Sequence, residues 1–281
     1  MGASPGTARG DGRRAALVVA HPDDEVLWFS SLLRDVDLVL FCFEEVRSRP
    51  EWTEGRRRAL ADYPLPGVDS LRLTESEVFN GADWRRPECT EQGLAVTRND
   101  DSFPAFSEAV YRANFERLRR GLGERLAQGF TRVYTHNPWG EYGHEEHVQV
   151  YRAVKAVQPA LGFELWVDNY CSNKSHELML RYVNGFHSDY ATAATDPGLG
   201  EQLERLYRRY GCWTWFDDYV WFTHECFQRD RDVARGEPVA GHFFPLNYLR
   251  VEAPWDREPV PRWRRVAGQL RRYLPAPVPA R

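Results

Sequence analysis

The sequence predicts an α/β fold: a Rossmann-like three-layer arrangement with a mostly parallel sheet, followed by an aromatic-rich C-terminal lobe. Three observations predict it. Short apolar, β-rich runs alternate with stretches of helical periodicity, the order expected of strands joined by crossover helices. The runs are apolar throughout rather than at every second position, as strands covered on both faces require. Histidines and carboxylates crowd directly behind two of these runs, where open α/β sheets bind ligands.

Residues 1–12 hold glycine, alanine, serine and charge without periodicity and are expected to be a flexible tail. The apolar runs then fall at 15–20, 37–43, 68–73, 132–135 and 163–167. Between them, Phe106, Val110, Ala113, Leu118, Leu122 and Leu126 hold one helical face until Gly129 stops it. A second helix is expected from His144 to Val157, ending before Pro159. After Tyr170 the pattern changes to aromatic-rich chain with Trp213, Trp215, Phe216, Tyr219, Trp221 and Phe222, and from Pro254 onward it is Pro-rich. The length of 281 residues favours one domain over 13–281, with an α/β core at 13–170 and a substrate-capping lobe at 171–281.

With 42% hydrophobic and 28% charged residues the chain can bury a sizeable core, which argues against disorder away from its ends. A formal net charge of -4 gives no basic surplus for a phosphate backbone, so nucleic acid is not an expected partner. Lys155 and Lys174 are the only lysines, a skew that fits a GC-rich genome. Cys42, Cys89, Cys171, Cys212 and Cys226 are odd in number and form no C-x-x-C pair, against a disulfide framework and a thiolate zinc site and in keeping with the cytoplasm. Arg13 and Arg14 before an apolar run mimic a signal peptide, but His21 and Pro22 end that run early. No stretch approaches the roughly 18 apolar residues of a membrane span, so no membrane partner is expected.

The chemistry concentrates in two segments. Ala20-His21-Pro22-Asp23-Asp24-Glu25 sets an imidazole and several carboxylates just past the first strand, and such crowding of negative charge calls for a proton or a metal cation. After another strand, the segment from Thr135 to His147 contains His136, Tyr142, His144, Glu146 and His147, with His144 and His147 on one face of a helix start. Two histidines and an aspartate, with one position left for water, match a catalytic zinc site; a closed structural site needs four protein ligands. Val148 excludes the H-E-x-x-H pattern, and the inverted H-x-x-E-H form fails as well. The absence of G-x-G-x-x-G after the first strand weakens a dinucleotide-binding alternative.

These segments resemble the PIG-L or LmbE-like zinc de-N-acetylases, marked by A-H-P-D-D-E after the first strand and a later H-x-D-H. Residues 20–25 match the first in full, and His144-Glu145-Glu146-His147 matches the second with Glu146 in the aspartate place. The resemblance spans roughly 15–156. It implies His21, Asp24 and His147 as ligands of zinc or another divalent transition metal, Asp23 as general base, and His144 as general acid oriented by Glu146. Tyr142 stands where some members carry a tyrosine that assists carbonyl polarisation, and Arg56 is the candidate substrate-binding arginine. The chain departs from the family in two places: Trp28, Phe29, Ser30 and Ser31 replace small glycines, and Ala59 stands where an acid is expected.

Plainer readings compete at each position. Asp23 and Asp24 could simply cap a helix. His136 could contact substrate, support a ligand from behind, or fill the core, and Asp168 shares that ambiguity. His224 and His242 default to structural or solvated roles, Arg56 to Arg58 to a solvated helix face, and the aromatic segment to core, although aromatic faces also stack on sugars. The expectation drawn from all of this is a hydrolase that removes acetyl from an N-acetylated amino sugar in a small soluble glycoside, with an aminoglycoside-like pseudodisaccharide favoured. An amidase on a mycothiol-type or other N-acyl conjugate is the alternative enzyme, a non-catalytic metal- or sugar-binding module the alternative of another class, and a homo-oligomer is left open.

Overall fold

The computed structural model describes residues 14–97, 104–182, 190–230 and 246–251. Met1–Arg250 forms one compact unit, and of the second, Val251–Arg281, only Val251 is described. The expected tail at 1–12, His242 and the Pro-rich end from Pro254 lie outside the described residues.

The elements run β1 (Ala15–Val19), α1 (Asp24–Trp28), β2 (Leu38–Glu45), α2 (Pro50–Ala61), β3 (Val68–Thr74), β4 (Cys89–Thr90), β5 (Gly93–Leu94), α3 (Glu108–Leu126), β6 (Arg132–Thr135), α4 (Glu145–Leu161), β7 (Glu164–Asp168), β8 (Tyr170–Ser172), α5 (His176–Met179), β9 (Tyr190–Ala194), α6 (Pro197–Arg209), β10 (His224–Arg229) and β11 (Asn247–Leu249). A seven-stranded sheet has the order β3-β2-β1-β6-β7-β10-β9. The pairs from β3 to β7 are parallel, while β10 is antiparallel to both β7 and β9. The α/β class expected from the apolar runs is therefore the one observed.

Continuous apolarity in β1 has the anticipated cause. Ala15, Leu17 and Val19 pack on one face with α1 and α6, against Leu203, Leu206 and Tyr207. Ala16 and Val18 pack on the other with α3 and α4, against Leu118, Leu122, Val150 and Val154. Each valine or leucine so enclosed contributes roughly 1.5–3 kcal/mol relative to an exposed one.

Three local expectations are revised. Helix α4 runs on to Leu161 rather than ending before Pro159, because that proline lies in the last turn and Gly162, left-handed at φ 74, closes the helix with an N–H to the Gln158 carbonyl. On α3 the buried face is carried by Tyr111, Phe115, Leu118, Leu122 and Leu126, with Ala113 exposed. The sheet also does not end near residue 170: β9 and β10 extend it, and the aromatic segment before β10 packs back on α1. There Tyr219 Oη and Trp221 Nε1 donate to the carbonyls of Leu27 and Val26 at 3.1 and 2.8 Å.

The replacement of small residues after A-H-P-D-D-E is explained in the same region. Ser30 and Ser31 each donate a backbone N–H and a hydroxyl to the buried Glu225 carboxylate on β10, at 2.6–3.0 Å. Trp28 and Phe29 fill the space below, fully buried.

Candidate metal centre

Strands β1 and β6 are parallel neighbours whose chain successors lie on opposite sides, β2 beyond β1 and β7 beyond β6. That divergence opens a crevice at their carboxyl ends, and both sequence segments emerge there. The loop after β1 is short and tied down by its own acids. The His21 N–H donates to Asp24 Oδ2 at 2.7 Å, and Trp28 Nε1, one turn along α1, donates to Asp24 Oδ1 at 3.2 Å. Asp23 holds the N-cap position of α1 at φ 120, yet its side chain makes no cap hydrogen bond. Its Oδ2 instead accepts Thr214 Oγ1 at 2.5 Å and the Thr214 N–H at 3.1 Å. The capping explanation for Asp23 therefore fails.

The loop after β6 is longer. His136 Nε2 accepts the Ala20 N–H at 2.8 Å, fastening the two loops together. Gly140, at φ 69, is required where it is, since a Cβ there would stand 2.6 Å from the His144 carbonyl oxygen. Glu141 is left-handed at φ 48 without being glycine; its N–H donates to Asn137 Oδ1 at 3.1 Å, and its Oε1 accepts the Asn137 N–H at 2.9 Å. His144 then caps α4, its Nδ1 accepting the Glu146 N–H at 3.1 Å, and His147 follows one turn later on the same face.

These loops bring together the groups singled out in the sequence. Asp24 lies between two imidazoles, with Oδ2 3.2 Å from His21 Nδ1 and Oδ1 3.2 Å from His147 Nε2. The far nitrogen of each ring rests on another carboxylate: His21 Nε2 on Glu146 Oε2 at 3.0 Å, and His147 Nδ1 on Glu141 Oε2 at 2.5 Å. Such partners fix the tautomer that leaves the near nitrogen a lone pair. One nitrogen from each of His21, His144 and His147 falls within 4.8 Å of the others, as does the set Asp24, His136 and His147. His136 has committed Nε2 to Ala20, and His144 has committed Nδ1 to the start of α4. His147 Nε2 is buried with no hydrogen-bond partner, an orphan that a cation would satisfy, and the donors are the nitrogen and oxygen types that divalent transition metals accept. The cluster is compatible with a metal ion, His147 being the residue shared by the group with His21 and His144 and the group with Asp24 and His136.

The charges point the same way. Burial alone would lower the pKa of His21, but Glu75, Asp24 and Glu146 raise it well above the ordinary imidazole value. Burial would raise Asp24, yet His147, His136 and His21 hold it well below the usual carboxylate range. Both shifts express a demand for positive charge, which protons or a divalent ion can meet. Burial and the neighbouring Asp24 push Asp23 up to about 6, partly offset by Arg56 and Thr214. Tyr142 is raised well above its ordinary value by burial and by Asp24 and Asp23, so it remains a neutral phenol. Its ring lies 5.9 Å from that of His144 and 4.7 Å from that of Trp215.

Several expected roles change. Glu146 does not orient His144: its carboxylate accepts Ser76 N–H and Oγ at 2.7 and 2.6 Å besides facing His21. Burial and the neighbouring His147 and His21 lower the pKa of His144 well below the ordinary value, which disfavours its cationic form. His136, 0% exposed and stacked behind His147 with ring centroids 4.0 Å apart, is shut off from any substrate. Arg56 is not on a solvated face but 3% exposed, and its Nη1 is paired with Glu75, which also stands 3.7 Å from His21 Nε2.

Sequence reasoning missed Glu75 as a partner of Arg56 and His21, and its place just past the carboxyl end of β3 was the available clue. Glu141 lay in plain view between Gly140 and Gly143 but was passed over for the histidines. Nothing in the sequence marked Thr214.

No family model and no curated protein matches the chain. Among solved structures, the zinc-inhibited form of teicoplanin deacetylase Orf2 is similar with a TM-score of 0.44 at 16% identity, covering 70% of this chain and 83% of that one. The A40926 pseudoaglycone deacetylase Dbv21 gives 0.40 at 16% identity over 71% and 82% of the two chains. An N,N'-diacetylchitobiose deacetylase from Pyrococcus horikoshii gives 0.43 at 12% identity over 74% and 73%. At such values, chemistry has to be read from the side chains themselves.

Proposed function

We propose that the protein is a zinc-dependent hydrolase that removes the N-acetyl group from an amino sugar in a small soluble glycoside, an aminoglycoside-like pseudodisaccharide being the favoured substrate. The observation that carries this reading is the convergence of His21 Nδ1 and His147 Nε2 on the Asp24 carboxylate, with Asp23 beside them turned away from its helix cap. His21, Asp24 and His147 would hold the ion. When bound, zinc supplies Lewis acidity to the scissile carbonyl and brings the pKa of its water toward neutrality. Resemblance to the PIG-L or LmbE-like de-N-acetylases supports the same assignment.

The protein's own groups divide the remaining work. Asp23 takes a proton from the attacking water, a task suited to a carboxylate raised to about 6. His144, neutral with Nδ1 committed to the helix, carries its proton on Nε2 and serves as a hydrogen-bond donor to the oxygen that gains charge. Asp23 returns its proton to the departing nitrogen, because an amide anion is too poor a leaving group at neutral pH, and the acetic acid formed gives its proton to the released amine, so that acetate and the ammonium form result. Tyr142 offers a second neutral donor on the same side as His144.

The test is acetate release from a panel of N-acetylglucosaminyl glycosides by chelator-treated protein, before and after one equivalent of zinc. Restoration by zinc with preference for aminoglycoside-like members is expected. Turnover only on other N-acyl amides would move the assignment to the amidase alternative. Tight zinc uptake with no turnover on any compound would leave a binding module.

A further inference from the structure

We infer that Glu141 is a positioning residue for the metal centre, fixing the tautomer of His147 so that its Nε2 lone pair faces Asp24. This rests on the reading that His147 is a metal ligand. Three observations support it. Glu141 Oε2 stands 2.5 Å from His147 Nδ1 and 3.2 Å from His136 Nδ1, so one carboxylate oxygen serves two imidazoles. Both rings have their other nitrogen in the junction between the loops: His136 Nε2 accepts the Ala20 N–H, and His147 Nε2 faces Asp24. Glu141 holds this place on left-handed backbone, a conformation that costs a non-glycine residue about 1–3 kcal/mol. Asn137 secures it from both sides, accepting its N–H and donating to its Oε1.

The surroundings fit a proton acceptor at this point. Asp168, fully buried beside Glu141, accepts the Asn137 Nδ2 donor at 2.8 Å and so helps to hold the residue that fixes Glu141. Glu141 Oε2 thus faces the Nδ1 atoms of both His147 and His136. In His147 that leaves the unprotonated nitrogen on the side of Asp24 and His21.

Glu141→Gln is a sharp probe because the amide keeps the size and the Oε1 acceptor while placing an N–H₂ donor where Oε2 was. That donor cannot accept from His147 Nδ1, so the ring is driven to carry its proton on Nε2 and closes its lone pair to a cation. Loss of such a carboxylate partner typically weakens metal binding about 10–100-fold. Zinc affinity of the full chain, measured by competition with a chromophoric chelator, should fall by that factor, with the thermal midpoint of the zinc-free protein little changed. Nitrogen-15 spectra of the zinc-free wild type should show His147 protonated at Nδ1, and those of Glu141→Gln at Nε2.

Equal zinc affinity in the two proteins, or a wild-type His147 protonated at Nε2, would overturn the inference. Two equivalents of zinc per wild-type chain would overturn it as well, since His136, Glu141 and Asp168 would then be a second cation site. The tautomer measurement needs neither bound metal nor turnover. A wild type that binds one zinc and shows the expected tautomer but hydrolyses nothing would sink the proposed function and leave the role of Glu141 standing.

Discussion

The loops after β1 and β6 each place one acid on left-handed backbone, Asp23 at φ 120 and Glu141 at φ 48, and the two acids are used in opposite ways. Asp23 leans across the crevice to Thr214 in the aromatic segment, whose own side is exposed to solvent. Glu141 points inward behind the imidazole of His147, with no exposure at all. The same kind of strain therefore turns one carboxylate toward the aromatic segment and the other behind His147. A position in the loop after a strand does not decide between these roles; what the carboxylate oxygens face does.

The contrast is broken most directly at Asp23. Replacing it with alanine should cut turnover by about 10²–10⁴-fold while zinc content stays near one per chain, if the proposed base and ligand roles lie on separate residues. Loss of the metal together with activity would show that Asp23 is itself a ligand, and unchanged turnover would remove it as base. Glu141→Gln supplies the opposite pattern, with the larger effect on zinc affinity. Next in size is Thr214→Val, which removes the hydroxyl donor to Asp23 but keeps the backbone N–H. A roughly tenfold fall in kcat with KM little changed is expected, corresponding to ~1.4 kcal/mol for one lost hydrogen bond to a charged group. Thr214→Ser should recover most of it. A change confined to KM would mean that Thr214 touches substrate rather than holding the base.

Much of the fold was legible because parallel strands buried on both faces are apolar throughout, and each such run coincides with a strand to within a residue or two. The antiparallel edge was not. β9 reads Tyr190-Ala-Thr-Ala-Ala194 and β10 carries the charged Glu225, whose burial depends on Ser30 and Ser31 far away in the sequence. The principal groups of the centre were legible as well, since local spacing brings His144 and His147 to one helix face and sets Asp23 and Asp24 side by side. What each nitrogen or oxygen faces was not, because those partners come from other elements: Ser76 and His21 for Glu146, Ala20 for His136, Thr214 for Asp23. Glu141 is a local partner of His147, but its left-handed backbone, which turns the carboxylate back onto His147 and His136, is not written in the spacing.

The smallest effect separates the two strained acids by how each is anchored. Glu141 is held by a neutral side chain, Asn137, whereas the Asp23 N–H donates at 3.0 Å to Glu25 Oε2, and Glu25 Oε1 accepts the hydroxyls of Tyr207 and Tyr63 at 2.7 and 3.0 Å. Burial raises Glu25 from 4.5 to about 8, more than these hydrogen bonds lower it. A folded-state value above the unfolded one means that the unfolded chain gives up this proton first. The stabilisation linked to it is complete below about pH 4.5 and is lost as pH rises through about 8. Urea unfolding should therefore show a midpoint that falls between pH 6 and pH 9 in the wild type and falls less in Glu25→Gln, which cannot ionise. If the two proteins lose stability in parallel over that range, Glu25 is not the group responsible. If they diverge, the proton on Glu25 helps to hold the loop that carries Asp23, and alkaline pH loosens that loop.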